Sequence, residues 1–135
     1  MSPPEGARPP LPTREVDKYR QQLGGALEQL EARRSLLGMI DADEDVAAGE
    51  VQLAVREYGD ARRVLETIKP STELRATHDL LIASCTLGAM AFNLRTPAGQ
   101  NSSPDARQNA ASAAAGSLMM FARACADLGC PVPPR

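Results

Sequence analysis

Tryptophan is missing from this chain, and its 135 residues include only four aromatic side chains: Tyr19, Tyr58, Phe92 and Phe121. Without an aromatic platform there is nothing on which nucleobases would stack. The core must instead be filled by Ala, Leu and Val, a choice that suits closely packed helices. An excess of one charge is also missing. Fifteen Lys and Arg against 17 Asp and Glu leave a net charge of −2, with the basic residues scattered among carboxylates. That distribution lacks the footprint of a phosphate backbone and excludes nucleic acid as the natural partner. Long apolar runs are lacking too. The longest, Leu80 to Phe92, is far short of the roughly 20 residues a membrane-spanning helix needs.

Catalytic signatures are equally scarce. His78 is the only histidine, no Glu-x-x-His pair exists for a carboxylate di-iron site, and no Cys-x-x-Cys-His is present for covalent haem attachment. No nucleophile elbow or glycine-rich phosphate loop occurs, and Gly24-Gly25 follows no strand. Asp41, Asp43 and Asp45 open like a calcium loop, but Val46 stands where glycine is required and Gln52 where a bidentate Glu is needed. These carboxylates are better explained as caps and dipole partners of a helix that follows. The chain reads as a non-enzyme that calls for no resident metal or cofactor.

What is present is an ordered placement of proline. Five of eleven prolines fall within residues 3–12 and three within 131–134, leaving 13–69, 71–96 and 105–130 free of proline. Because proline is expelled from helix interiors, these stretches are helical and the flanks are extended tails. The first stretch divides at Gly38 to Asp45. Val16, Leu23, Leu30 and Leu37 recur every seven residues, interleaved with Tyr19, Ala26 and Ile40 and interrupted by Arg33. Val51, Tyr58 and Leu65 continue the spacing, interleaved with Ala47, Ala54, Ala61 and Ile68. Such alternation keeps one stripe facing a partner helix. Pro70-Ser71-Thr72-Glu73 and Ser103-Pro104-Asp105 are helix starts, and Gly129 is a stop. The sequence therefore predicts an all-α domain over 13–130, an antiparallel up-down-up-down four-helix bundle. Its helices are expected over 13–39, 44–69, 71–95 and 104–128, with a kink at Gly24-Gly25. Residues 1–12 form a Pro-rich linker and 131–135 a tail.

The two halves of the chain differ in charge. Residues 1–69 carry 23 charged side chains and residues 70–135 carry nine. Helices three and four thus have little charged face to offer water, which suggests a further contact. The stretch Ala110 to Ser117 is rich in Ala, Ser and Gly and fits close approach between helices. Ala110, Ala113, Ala114, Ser117 and Phe121 are the expected interface, for a second copy or another protein partner. A charge placed at Ala114 is expected to shift the oligomeric state.

Two other classes stay open. His78, Leu81 and Cys85 share a helical face, and a small ligand or a haem held between the helices would use His78 as its polar anchor, with Met90, Met119 or Met120 as the second axial ligand. The seven-residue gap from His78 to Cys85, about 10 Å along the axis, is too long for one metal ion. Cys85, Cys125 and Cys130 would alternatively form a thiol redox sensor. Cys125 and Cys130 flank Gly129 and are placed for a local disulfide, whereas Cys85 and Cys125 are displaced by roughly 15 Å along a hairpin.

Leu65, Ile68, Pro70, Leu74, His78 and Leu81 form a helix–Pro–helix hairpin with the histidine one turn into its second arm. In this the chain resembles the all-α domains of bacterial envelope lipoproteins of uncharacterised function. The resemblance implies that residues 1–12 are the linker below a lipid anchor in an exported precursor, and that the compartment is the bacterial envelope rather than the cytoplasm. Met1 stands where such a protein would carry its lipid-bearing cysteine. No functional residue transfers with the resemblance.

Overall fold

A computed structural model describes residues 13–95 and 103–129, and among these every regular element is helical. In chain order these are α1 (Thr13–Leu23), α2 (Ala26–Ala32), α3 (Arg34–Asp41), α4 (Ala48–Glu66), α5 (Arg75–Leu94) and α6 (Pro104–Leu128), with one 3-10 turn at Thr72–Leu74 ahead of α5. The all-α class stands, but the helix count is six where four were expected. Residues 1–12, 96–102 and 130–135, with the expected linker, tail and Cys130, lie outside the described residues.

The expected first helix, 13–39, is three short ones. Gly24 sits at φ +55°, a left-handed conformation that suits glycine and stops the α1 hydrogen-bond ladder. The second break, at Arg33, has φ −91° and ψ 0°, which any residue adopts. Arg33 is held there by a two-pronged pair with Glu57 of α4: Nε donates to Oε2 at 2.6 Å and Nη2 to Oε1 at 2.7 Å. That pairing keeps the Glu57 carboxyl below the usual carboxylate range. The seven-residue stripe survives both breaks, because Tyr19, Leu23, Ala26, Leu30, Leu37 and Ile40 are all buried.

The second expected helix begins at Ala48 rather than 44, because Asp43 takes φ +58° and Ala47 is extended. No side chain caps α4. The carboxylates expected to cap it turn elsewhere. Asp43 accepts from Arg107 Nε at 2.8 Å, and the buried Arg95 donates from Nη2 to the Glu44 carbonyl at 2.8 Å. Arg95 closes α5 and Arg107 lies in the first turns of α6, so the 42–47 loop is clamped to the α5–α6 end of the fold. By contrast α6 matches its expected bounds. Ser103 accepts from the Ala106 N–H at its start, and Gly129 at φ +73° ends it.

α5 is central, packed against α4 on one side and α6 on the other, while α2 lies along α4 and α3 along α6. The α5–α6 contact is close and polar at its centre. Ser84 Oγ donates to the Ser117 carbonyl at 3.0 Å, and Ser117 Oγ donates to the Ser84 carbonyl at 2.7 Å. Farther along, Thr77 Oγ1 donates to Asp127 at 3.1 Å, so the two helices run antiparallel. On the α4 side, the Tyr58 ring lies over Gly88 and leans on Phe92 with centroids 5.8 Å apart.

Candidate functional site

The small-residue stripe of α6 does not face outward. Ala110, Ala113, Ala114, Ser117 and Phe121 are all buried, which corrects the expectation that they form an external interface. The reciprocal serine bonds and the contact of Leu87 with Gly116 draw α6 onto α5 along this stripe. What α5 and α6 show to solvent is the opposite side. There Met90 is 46% exposed and Met119 66% exposed. Ser112 and Ala115 are exposed beside them, and Ala83, Leu87 and Met120 are half-buried. From Leu80 to Leu94 on α5 and from Gln108 to Ala122 on α6 there is no charged residue, fifteen positions on each helix.

The geometry of this face follows from the serine pair. With Ser84 level with Ser117, the middle of the uncharged α5 stretch, Leu87, is level with Ala114, one residue from the middle of the α6 stretch, Ala115. Gly116 confirms that level, since a Cβ built there would lie 3.1 Å from Leu87 Cδ1. The two uncharged stretches therefore coincide in height, with Met90 at the edge towards α4, where it also lines a groove beside Arg62. Together they measure about 22 Å along the helices and about 20 Å across two helix diameters. Methionines on an uncharged patch are what the centre of a protein interface is enriched in.

His78, Leu81 and Cys85 do share the inner face of α5, all buried, but they do not surround a common space. An open groove between α4 and α5 is lined by Tyr58, Gly59, Arg62, Cys85, Ala89 and Met90 among others, and neither His78 nor Leu81 reaches it. The His78 ring is taken by α1. The Tyr19 hydroxyl lies 2.7 Å from Nδ1, and the two rings meet edge-on with centroids 5.7 Å apart. Burial lowers the His78 pKa from its ordinary value, and burial pushes the Cys85 thiol up to about 12. A thiol so placed is a packing group rather than a nucleophile.

Met90 and Met119 are exposed, which sets these two of the three expected axial methionines apart from the buried His78. Among the described residues no three His, Cys, Asp or Glu side chains converge on a point that would hold a metal ion. No described helix is long and apolar enough to cross a membrane. Cys125 is buried; its expected disulfide partner, Cys130, lies outside the described residues. Two features escaped the sequence: the Tyr19–His78 bond, which joins residues 59 apart, and the Arg95–Arg107 clamp. The only signal for the clamp was an arginine on each side of the α5–α6 connection. Comparison with known proteins finds no matching family model, no similar curated protein and no similar solved structure.

Proposed function

We propose that this chain is a non-enzymatic self-association module whose outer α5–α6 face binds the same face of a second copy. In this reading α1–α3 serve together as the first rod of a four-rod bundle, with α4, α5 and α6 as the other three. The observation that carries the proposal is the pair of exposed methionines, Met90 and Met119, on two uncharged helical stretches centred within one residue of the same height. A two-fold interface must be self-complementary. Along α6, Met119 stands about 6 Å to one side of Ala115 and Ser112 about 4.5 Å to the other, at 1.5 Å per residue. A two-fold axis near Ala115 lays the protruding Met119 of each copy over the small Ser112 of its partner. The projected face of about 450 Å² belongs at the small end of specific interfaces, so the dimer is concentration-dependent. The small-ligand carrier has less support, because His78 is buried and already bonded to Tyr19.

Sedimentation velocity tests the reading. Met119→Glu introduces a charge at an exposed position, where the cost to the monomer fold is within about 0.5 kcal/mol. It is expected to convert the dimer to monomer while the thermal midpoint, compared at concentrations where both proteins are monomeric, stays unchanged. Mixing it with Ser112→Arg is expected to restore a heterodimer through one Glu–Arg contact. A Met119→Glu variant that sediments as the wild type does would contradict the proposal.

A further inference from the structure

We infer that α1 is a pH-released strap, latched onto α5 by the Tyr19–His78 bond and hinged at Gly24-Gly25. The device is independent of the outer α5–α6 face. Three observations build it. First, α1 is mostly polar, and only Val16, Tyr19 and Leu23 turn inward. It lies over the α4–α5 connection, with Ser71 Oγ donating to Glu15 at 2.9 Å near one end and Leu23 beside Val64 of α4 at the other. Second, its C-terminal joint is Gly24 at φ +55° followed by Gly25, and a side chain added at either would meet nothing within 4 Å. The joint is therefore exposed, and its glycines can absorb the backbone change a hinge needs. Third, the buried middle of α1 combines the apolar burial of the Tyr19 ring and Leu23 with a polar tie, the hydrogen bond between Tyr19, 1% exposed, and the only histidine of the chain, His78, 5% exposed.

Protonation of the ring attacks this contact twice. In the tautomer protonated at Nε2, the neutral imidazole accepts the Tyr19 hydroxyl proton at Nδ1. Once both ring nitrogens carry protons, the hydroxyl must turn to accept, and its own proton is left without that acceptor in a nearly dry site. The imidazolium itself is a buried charge. The charges that act on the ring are Asp79, which favours protonation, and Arg75, which opposes it, both exposed on α5. Glu15 of α1 is held by Ser71, and Asp127 of α6 by Thr77 next to the ring. Burial outweighs Asp79, so the docked His78 is harder to protonate than an ordinary histidine, and release of α1 uncovers the side of the ring that Tyr19 covers. The docked state is thus fully favoured above the ordinary histidine value near pH 6.5 and loses ground as the pH falls from there towards the lowered value. Ordinary carboxylates titrate well below this window. With a single histidine in the chain, an opening step there belongs to His78.

Amide hydrogen exchange on the full chain at pH 7.5 and pH 5.0, corrected for the intrinsic rate at each pH, reads the strap directly. Peptides from Thr13–Leu23 are expected to lose protection by about tenfold for each pH unit of titration covered, while peptides from α5 and α6 stay protected. His78→Asn puts an amide oxygen in the place of Nδ1 without a titrating ring, and is expected to keep α1 protected at both pH values. Tyr19→Phe removes the hydrogen bond while keeping the buried ring and is expected to lower α1 protection at pH 7.5 by about tenfold, which serves if the Asn variant does not fold. Four results would each overturn the inference: α1 protection that is the same at both pH values in the wild type, loss of α1 and α6 protection together, a pH-dependent opening of α1 that persists in His78→Asn, or wild-type protection of α1 at pH 7.5 in Tyr19→Phe.

Discussion

Ala114→Glu is expected to unfold the chain at room temperature, whereas Ala115→Glu, one residue along, leaves the thermal midpoint of the monomer essentially unmoved. The two substitutions make the same chemical change in the middle of the same helix, and the helix propensities of Ala and Glu differ little. What separates them is the face. Ala114 is 0% exposed, and Ala115 is on the outer side of α6. A carboxylate forced in at 114 has neither water nor a cationic partner, and the penalty is several kcal/mol even after relaxation. Overpacking by four extra heavy atoms adds to it. Against a total stability of about 5–15 kcal/mol for a domain, that is most of the margin. Thermal melts followed by circular dichroism decide the matter. A near-wild-type melt for Ala114→Glu would show that this side of α6 is not inside.

Gly88→Leu carries the second large effect. A Cβ built on Gly88 would lie 2.6 Å from Tyr58 Cε1 and 2.8 Å from Cζ, closer than two carbons approach. Tyr58 has nowhere to retreat, being buried and braced against Phe92. A leucine there pushes α5 away from α4 or turns the ring out of the core, at about 3 kcal/mol or more. Two glycines serve as controls. At Gly59 an added Cβ meets nothing within 4 Å, so Gly59→Ala is expected to stabilise the helix by about 0.5–1 kcal/mol. At Gly116 the neighbour is the movable end of Leu87, and the helix-propensity gain roughly offsets the adjustment. Urea denaturation of the three variants should rank Gly59→Ala highest and Gly88→Leu far below wild type. Equal midpoints for Gly88→Leu and wild type would mean that α4 and α5 do not approach as closely as described.

These contrasts mark where the sequence stops being informative. The helical class follows from the Ala- and Leu-rich composition and the exclusion of proline, and the ends of α6 follow from Ser103-Pro104 and Gly129, because caps are local chemistry. The buried stripe from Tyr19 to Ile40 follows from its spacing. Its division into three helices follows only in part. Gly24-Gly25 signals a weak point, but the break at Arg33 needs no special residue and is set by Glu57, 24 positions away. The functional face was the harder problem. Ala, Ser and Gly are as compatible with a close helix contact as with solvent, so the composition of 110–117 leaves its facing undecided. The serine bonds to Ser84 turn 110, 113, 114 and 117 inward and leave 112, 115 and 119 outside. The charge asymmetry between the two halves of the chain singles out α5 and α6 for the proposed contact, and does not say which side of them faces outward.

Native mass spectrometry of freshly purified, non-reduced protein over a range of concentrations, followed by denaturation of the same sample, tests the self-association claim most directly. The account predicts a dimer of twice the chain mass, growing with concentration and carrying no additional bound mass. A monomer at every concentration would contradict it, and a monomer that sheds extra mass on denaturation would make the chain a carrier instead.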